Sequence, residues 1–249
     1  MSERMKSIVF AFALCLVCGT LLTAASTRLQ PMQERNAQID RKKNILKSVS
    51  LIKSDRNYDG TEIDRLYEEN IYQYYVDQNG AIVEPEVVDN GEPSNLMTIY
   101  LVMDENNQIR SYIIPVESRG LWGKIYGYLA LQDDGSTIEG FTVYKHSETP
   151  GLGGEIENQW FQENFVGKKI VDHNNEFVSV SIAKGSASDK VSEKKLPNYV
   201  DGISGATLTG QYLTQGLQQT LKEYEPISVN FRQNALQCRM QEEKPWCKK

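Results

Sequence analysis

The chain has 249 residues, which allows one good-sized domain with appendages. Its formal net charge is −6 and it has no basic patch interleaved with aromatic residues, which argues against a nucleic-acid partner. The two histidines, His146 and His173, are too few and too scattered to define a metal site, and no side chain is assigned to catalysis.

Arg4 and Lys6 precede an uncharged, largely apolar run from Ile8 to Ala25, eighteen residues long. That length is slightly short for a membrane-spanning helix, and the flanking charges place the N-terminus in the cytoplasm and the body outside it. A cleaved signal peptide is the rival, with Thr23-Ala24-Ala25 as the cleavage region. Lipoprotein processing is disfavoured because Val17 precedes Cys18. Cys15 and Cys18 form a C-x-x-C inside the run, where small apolar packing residues are preferred over redox or metal chemistry.

Residues 26–56 are charged, with Leu29, Met32, Ile39, Leu46 and Val49 spaced for a helical stalk; a solvated linker is the alternative. Asp59-Gly60 ends it, and Thr61–Glu69 is one more short helix. Strand signals follow at Ile71–Val76, Ala81–Val83, Leu96–Met103, Gln108–Val116, Ile125–Leu131, Thr137–Tyr144 and Phe177–Ala183. Gln78-Asn79-Gly80, the Glu84–Ser94 loop, Asp104–Asn107 and Asp133-Asp134-Gly135 punctuate them, and such short connections predict antiparallel pairing. Asn158–Phe165 reads as a short helix. The fold class is therefore α+β, a mostly antiparallel sheet packed with a few helices and preceded by one transmembrane helix. The domain is read as 57–226, and 227–249 as a C-terminal extension in which Cys238 and Cys247 suit a local disulfide outside the cytoplasm.

Two stretches carry the chemistry. Glu148-Thr149-Pro150-Gly151-Leu152-Gly153-Gly154 is a loop whose backbone can take unusual dihedrals and come close to a ligand. It lacks dinucleotide-fingerprint spacing. Asp201-Gly202-Ile203-Ser204-Gly205-Ala206-Thr207 opens a helix in which Leu213, Leu217 and Leu221 recur on one face and Pro226 closes the segment. Ser204 is the expected N-cap, and Thr207 falls in a first turn whose free N–H groups suit a phosphate. Taken alone, this reads first as a capped helix with a Ser/Thr-rich start, and a phosphate site is the alternative.

D-G-I-S-G-A-T resembles the flavinylation motif D-x-x-[ST]-G-A-[ST] of the FMN-binding domain family, and E-T-P-G-L-G-G resembles the flavin-lining loop of one branch. That branch serves membrane-bound Na+-translocating NADH:quinone reductase and Rnf electron-transfer complexes, the reductase being the nearer match. The resemblance implies FMN joined through a phosphoester to Thr207, with Asp201, Ser204, Gly205 and Ala206 shaping the turn around the phosphate. Ser204 and Thr209 are rival hydroxyls within the same few residues. The resemblance also implies Glu148 and Thr149 at the flavin's polar edge or ribityl chain, Gly151 and Gly153 in the lining loop, Leu152 on the ring and Trp122 of Leu121-Trp122-Gly123 nearby. It further implies an electron carrier anchored in a bacterial inner membrane, matured by a flavin transferase and working with five further subunits. The Rnf member of the branch and a stand-alone flavin-binding sensor ectodomain are the alternatives.

Overall fold

In the computed structural model of the chain, residues 2–53, 56–83, 96–104 and 108–233 are described. Six alternating apolar segments build one antiparallel sheet: β1 Ile71–Val76, β2 Ile82–Val83, β3 Met97–Met103, β4 Ile109–Arg119, β5 Lys124–Gln132 and β6 Ile138–Lys145. They stand in the order β2-β1-β3-β4-β5-β6, and every neighbouring pair is antiparallel. At the β1–β2 turn, Asp77 accepts at Oδ1 from Asn79 N–H (2.9 Å) and Ala81 N–H (2.8 Å). Gly80 there has φ +77, and a Cβ would lie 2.5 Å from the Pro226 carbonyl carbon, so both backbone shape and space demand glycine.

Because side chains alternate along a strand, the sheet has two distinct faces. One carries Val76, Ile99, Leu101, Tyr112, Ile114, Leu129 and Leu131 into the main core. Over it lie α5, Thr207–Glu223, whose Leu213, Leu217 and Leu221 are fully buried, and α6, Glu225–Arg232, with Ile227 and Phe231 buried. Each such side chain contributes roughly 1.5–3 kcal/mol by leaving water. Tyr112 stacks on Phe231 with ring centroids 4.4 Å apart, and its hydroxyl meets Ser228 Oγ at 2.8 Å. Burial pushes the Tyr112 phenol up, so it stays neutral in that contact.

The chain divides into two units, Met1–Arg41 and Lys42–Lys249. Within the second, the end of helix α1 (Glu3–Ser48) is tied to the other face of the sheet. Thr142 Oγ1 donates to Asn44 O (3.1 Å), and Arg110 Nη2 to Val49 O (2.7 Å). A Cβ on Gly140 would sit 2.3 Å from Ser48 O, which explains a glycine inside β6. Ile45, Leu46, Val49 and Ile52 are buried there. Helix α2, Gly60–Asn70, starts on an Asp59 cap and holds Lys42 through Asp64 (2.7 Å) and the Tyr67 ring (5.0 Å). Within the first unit, α1 is long and apolar enough to cross a membrane, with Ile8, Phe10, Phe12, Leu21 and Leu22 exposed.

The structure departs from the sequence-based expectations in several places, and helix α1 ends at Ser48, before the Asp59-Gly60 end expected for the stalk. Of Phe177–Ala183 only Ser181–Ile182 (β7) is strand, and it pairs in parallel with Tyr199–Val200 (β8), a segment that no strand signal marks. The predicted helix over 158–165 is the shorter α3, Gln159–Glu163, and an unpredicted 3-10 turn, Gly153–Glu157, precedes it. Strand β4 runs on past Val116 to Arg119. Pro226 opens α6 instead of simply ending the helix before it, since the first turn tolerates a missing N–H. The Glu84–Ser94 loop, most of the 104–107 turn, and Cys238 and Cys247 lie outside the described residues.

Because Phe231 fills the main core, Phe231→Ala is expected to cost about 3–5 kcal/mol. Urea unfolding of the detergent-solubilised chain measures this, and a loss within that of an exposed substitution would show that α6 is not part of the cooperative unit.

Candidate functional site

Helix α5 begins at Thr207 with Ala206 as its N-cap residue, and no side chain caps it. Ser204, the expected cap, is exposed and makes no capping bond, because Gly205 at φ +75 turns the backbone between it and the helix. Ala206 N–H closes the preceding turn on Ile203 O (3.1 Å), and Gly210 N–H is the first to bond back, to Ala206 O (3.0 Å). The N–H groups of the first turn, at 207–209, therefore lack intrahelical partners, and no acidic residue occupies that turn. Thr207 is exposed, whereas Thr209, two residues on, is 2% exposed.

The Asp201-Gly202 entry to this turn is fixed from outside the helix. Asp201 Oδ1 accepts from Ala187 N–H (2.6 Å) at the start of α4, Ala187–Lys190. Gly202 N–H donates to Gly185 O (2.8 Å), and a Cβ on Gly202 would lie 2.0 Å from Ala183 O. Asp201 thus anchors the segment while its side chain serves a neighbouring loop.

The glycine loop arrives from β6 and meets this turn. A Cβ on Gly205 would lie 2.8 Å from Leu152 Cδ2. Gly151 has φ +75 with open space around it. The Thr149 side chain is exposed, and its carbonyl accepts from Leu152 N–H (3.1 Å) and Gly154 N–H (2.9 Å). The motif resemblance implies Glu148 at a flavin's polar edge; its side chain instead turns inward and is 5% exposed. Oε1 accepts from Leu121 N–H (2.8 Å) and Trp122 N–H (3.1 Å), and Oε2 accepts from the Thr209 hydroxyl (2.5 Å). Added Cβ atoms would lie 2.6 Å from Oε1 at Gly120 and 2.6 Å from Oε2 at Gly153. His146 Nδ1 accepts Glu148 N–H (3.1 Å), which leaves Nε2 to donate to Glu157 Oε2 (3.0 Å).

The third segment is the tight turn between β4 and β5, closed by Gly120 N–H to Gly123 O (2.6 Å). A Cβ on Gly123 would touch Ser147 Oγ at 3.0 Å, so this turn packs on the glycine loop. The three segments together leave four apolar side chains in solvent: Leu121 (45%), Trp122 (69%), Leu152 (43%) and Leu208 (49%). Isolated exposed leucines are ordinary; four large apolar groups exposed on three converging segments offer a candidate platform for a flat apolar ligand.

The structure thus joins Trp122, Glu148, Leu152, Gly153 and Gly205 by direct contact, with Ala206 and Thr207 following Gly205 in the chain. No sequence signal singles out Gly120, and the motif marks Thr209 only as a rival hydroxyl to Thr207. The available signal for Thr209 is its spacing of two from Thr207, which puts it on a different side of the helix.

Gly153 and Gly151 separate packing from backbone strain. Gly153 is outside the left-handed region, so Gly153→Ala should cost about 1–3 kcal/mol by overpacking. Gly151→Ala should cost about 1–2 kcal/mol through its left-handed backbone alone. Hydrogen exchange at the Leu121 and Trp122 amides should accelerate in the first variant only; equal exchange in both would contradict the packing described.

The model of the family described as FMN-binding domain matches residues 120–222, from the Gly120 turn into α5. A relative in Haemophilus ducreyi, the NqrC subunit of its Na(+)-translocating NADH-quinone reductase, is 34% identical, and the match spans 80% of this chain and 82% of that one. The NqrC relative in Neisseria meningitidis serogroup A is 33% identical over 82% of this chain and 84% of its own. Among solved structures, NqrC from Parabacteroides distasonis has a TM-score of 0.67 and 30% identity over 81% of this chain and 97% of that one. Shewanella oneidensis NqrC, 21% identical over 78% of this chain and 98% of that one, shares the fold with a TM-score of 0.59. The chain belongs to the NqrC family of the Na(+)-translocating NADH-quinone reductases, and it carries the FMN-binding match over residues 120–222.

Proposed function

We propose that this chain is a membrane-anchored electron carrier whose FMN is joined through its phosphate to Thr207. The observation that carries the reading is an exposed threonine hydroxyl at an uncapped helix start, beside an apolar platform built from three segments. The residues fit the group. As a diester the phosphate holds about one negative charge instead of roughly two, which the N–H groups of the α5 first turn and its macrodipole offset. Gly205 and Ala206 hold the turn open at Thr207, Ser204 lies at its exposed edge, and Asp201 fixes its approach. Leu152 and Trp122 offer apolar cover for a ring system, with Thr149, Gly151 and Gly153 shaping the loop that carries Leu152.

When bound, FMN supplies reversible acceptance and release of single electrons, and the protein supplies position and environment. Attachment keeps the cofactor from diffusing away outside the cytoplasm. Named relatives belong to an NADH-quinone reductase that translocates Na+, which supports placing this chain with the five other components of a six-membered complex and a maturing flavin transferase. In that setting it relays electrons between NADH oxidation and quinone reduction and neither binds NADH nor forms the ion path itself. Arg4 and Lys6 before the α1 apolar run support a cytoplasmic N-terminus, one retained span over 8–25 in the bacterial inner membrane, and an extracytoplasmic flavin domain.

Co-expression with a flavin transferase tests the acceptor. Flavin fluorescence of the denatured chain in a gel should vanish in Thr207→Ala, because a methyl group forms no ester, and persist in part in Thr207→Ser. It should persist in Thr209→Ala, whose native hydroxyl is buried; loss there with retention in Thr207→Ala would reassign the site.

Topology is tested separately. A C-terminal alkaline phosphatase fusion should be active, and sequencing of the mature N-terminus should find the anchor retained. A new N-terminus at Ser26 would replace the anchor with a signal peptide.

A further inference from the structure

We infer that Glu148 is a positioning residue of the flavin site, one inward carboxylate that holds the Gly120–Gly123 turn, the glycine loop and the start of α5 in fixed relation. The inference rests on the FMN reading of Thr207. The two legs of the clasp span 27 residues, to Leu121, and 61 residues, to Thr209, so the carboxylate joins segments far apart in the sequence.

The atoms that Glu148 holds are those from which the platform projects. Leu121 and Trp122 donate their own N–H groups to Oε1 and carry two of the four exposed apolar side chains. Thr209 donates to Oε2, directly after Leu208 and two residues after Thr207. Leu152 precedes Gly153, whose missing Cβ leaves the carboxylate its room. The carboxylate therefore lies beneath the backbone of each segment, with the ligand-facing groups on the outer side. A buried acceptor with every donor supplied is rigid, and losing one donor leaves a carboxylate oxygen unpaired and the segments free to separate.

Glu148→Ala opens a cavity and is a poor first test because it can fail to fold. Thr209→Val keeps the shape and removes one donor, and Thr209→Ser restores the hydroxyl. The full chain is purified from cells containing the flavin transferase, and covalent flavin mass, flavin fluorescence with its anisotropy, midpoint potential and thermal unfolding are read in parallel. Thr209→Val should keep the flavin mass, since Thr207 is untouched, while the flavin becomes brighter, less anisotropic and shifted in midpoint potential. Thr209→Ser should return all three signals toward wild type. Thr209→Val that lowers thermal stability yet leaves fluorescence, anisotropy and potential unchanged would make the contact merely structural and overturn the inference. Failure of Thr209→Ser to restore the signals would overturn it too. Wild type lacking covalent flavin would instead strike the Thr207 reading, and the inference with it.

Discussion

A carboxylate removed from water has to be met by donors, and Glu148 is met by two backbone N–H groups and one hydroxyl drawn from two other parts of the chain. That requirement explains features that look unrelated along the sequence. Gly120 and Gly153 are small because side chains there would occupy the carboxylate's space. Thr209 is buried because its hydroxyl is consumed inward, and Thr207 is left as the threonine of that turn that faces solvent. His146 accepts the Glu148 N–H, so the loop is held by its backbone as well as by its carboxylate. Burial of one acid thus sorts which groups at this corner are available for chemistry.

Helix α5 reconciles two demands. Its inward face buries Leu213, Leu217 and Leu221 against the sheet and fixes the axis of the helix in the core. Its first turn remains uncapped, which a free-standing helix would disfavour by about 1 kcal/mol relative to a good cap. Core packing covers that deficit, and the open N–H groups become a standing place for an anion. The sheet supplies the other half of the frame, because β4, β5 and β6 deliver the 120–123 turn and the glycine loop side by side.

Much of this is legible in the residues. Apolar patterning locates Ile71–Val76 and the four long strands after it, because each carries buried apolar side chains on its core face. The leucine stripe marks α5 for the same local reason, whereas Asp59, read as the end of the stalk, is the cap that starts α2. The β7–β8 pair is hidden because two-residue strands carry no period and pair in parallel across eighteen residues of sequence. The Ser204 cap fails because Gly205 takes a left-handed backbone, which residue identity permits but does not demand. The resemblance names residues of the glycine loop, the Trp122 turn and the start of α5, and these three segments meet in the structure. Glu148 shows its limit, since a loop sequence does not say whether a carboxylate points to the ligand or away from it.

Covalent attachment of FMN at Thr207 is tested most directly by the mass of the proteolytic peptide containing it. Digestion at Lys195 and Lys222 isolates residues 196–222, and fragmentation within that peptide assigns the modified residue. The expected result is an added mass of FMN less one water, surviving denaturation and localised to Thr207. The unmodified peptide as the sole species, in chain purified with its flavin transferase and with FMN absent from every other peptide, would contradict it.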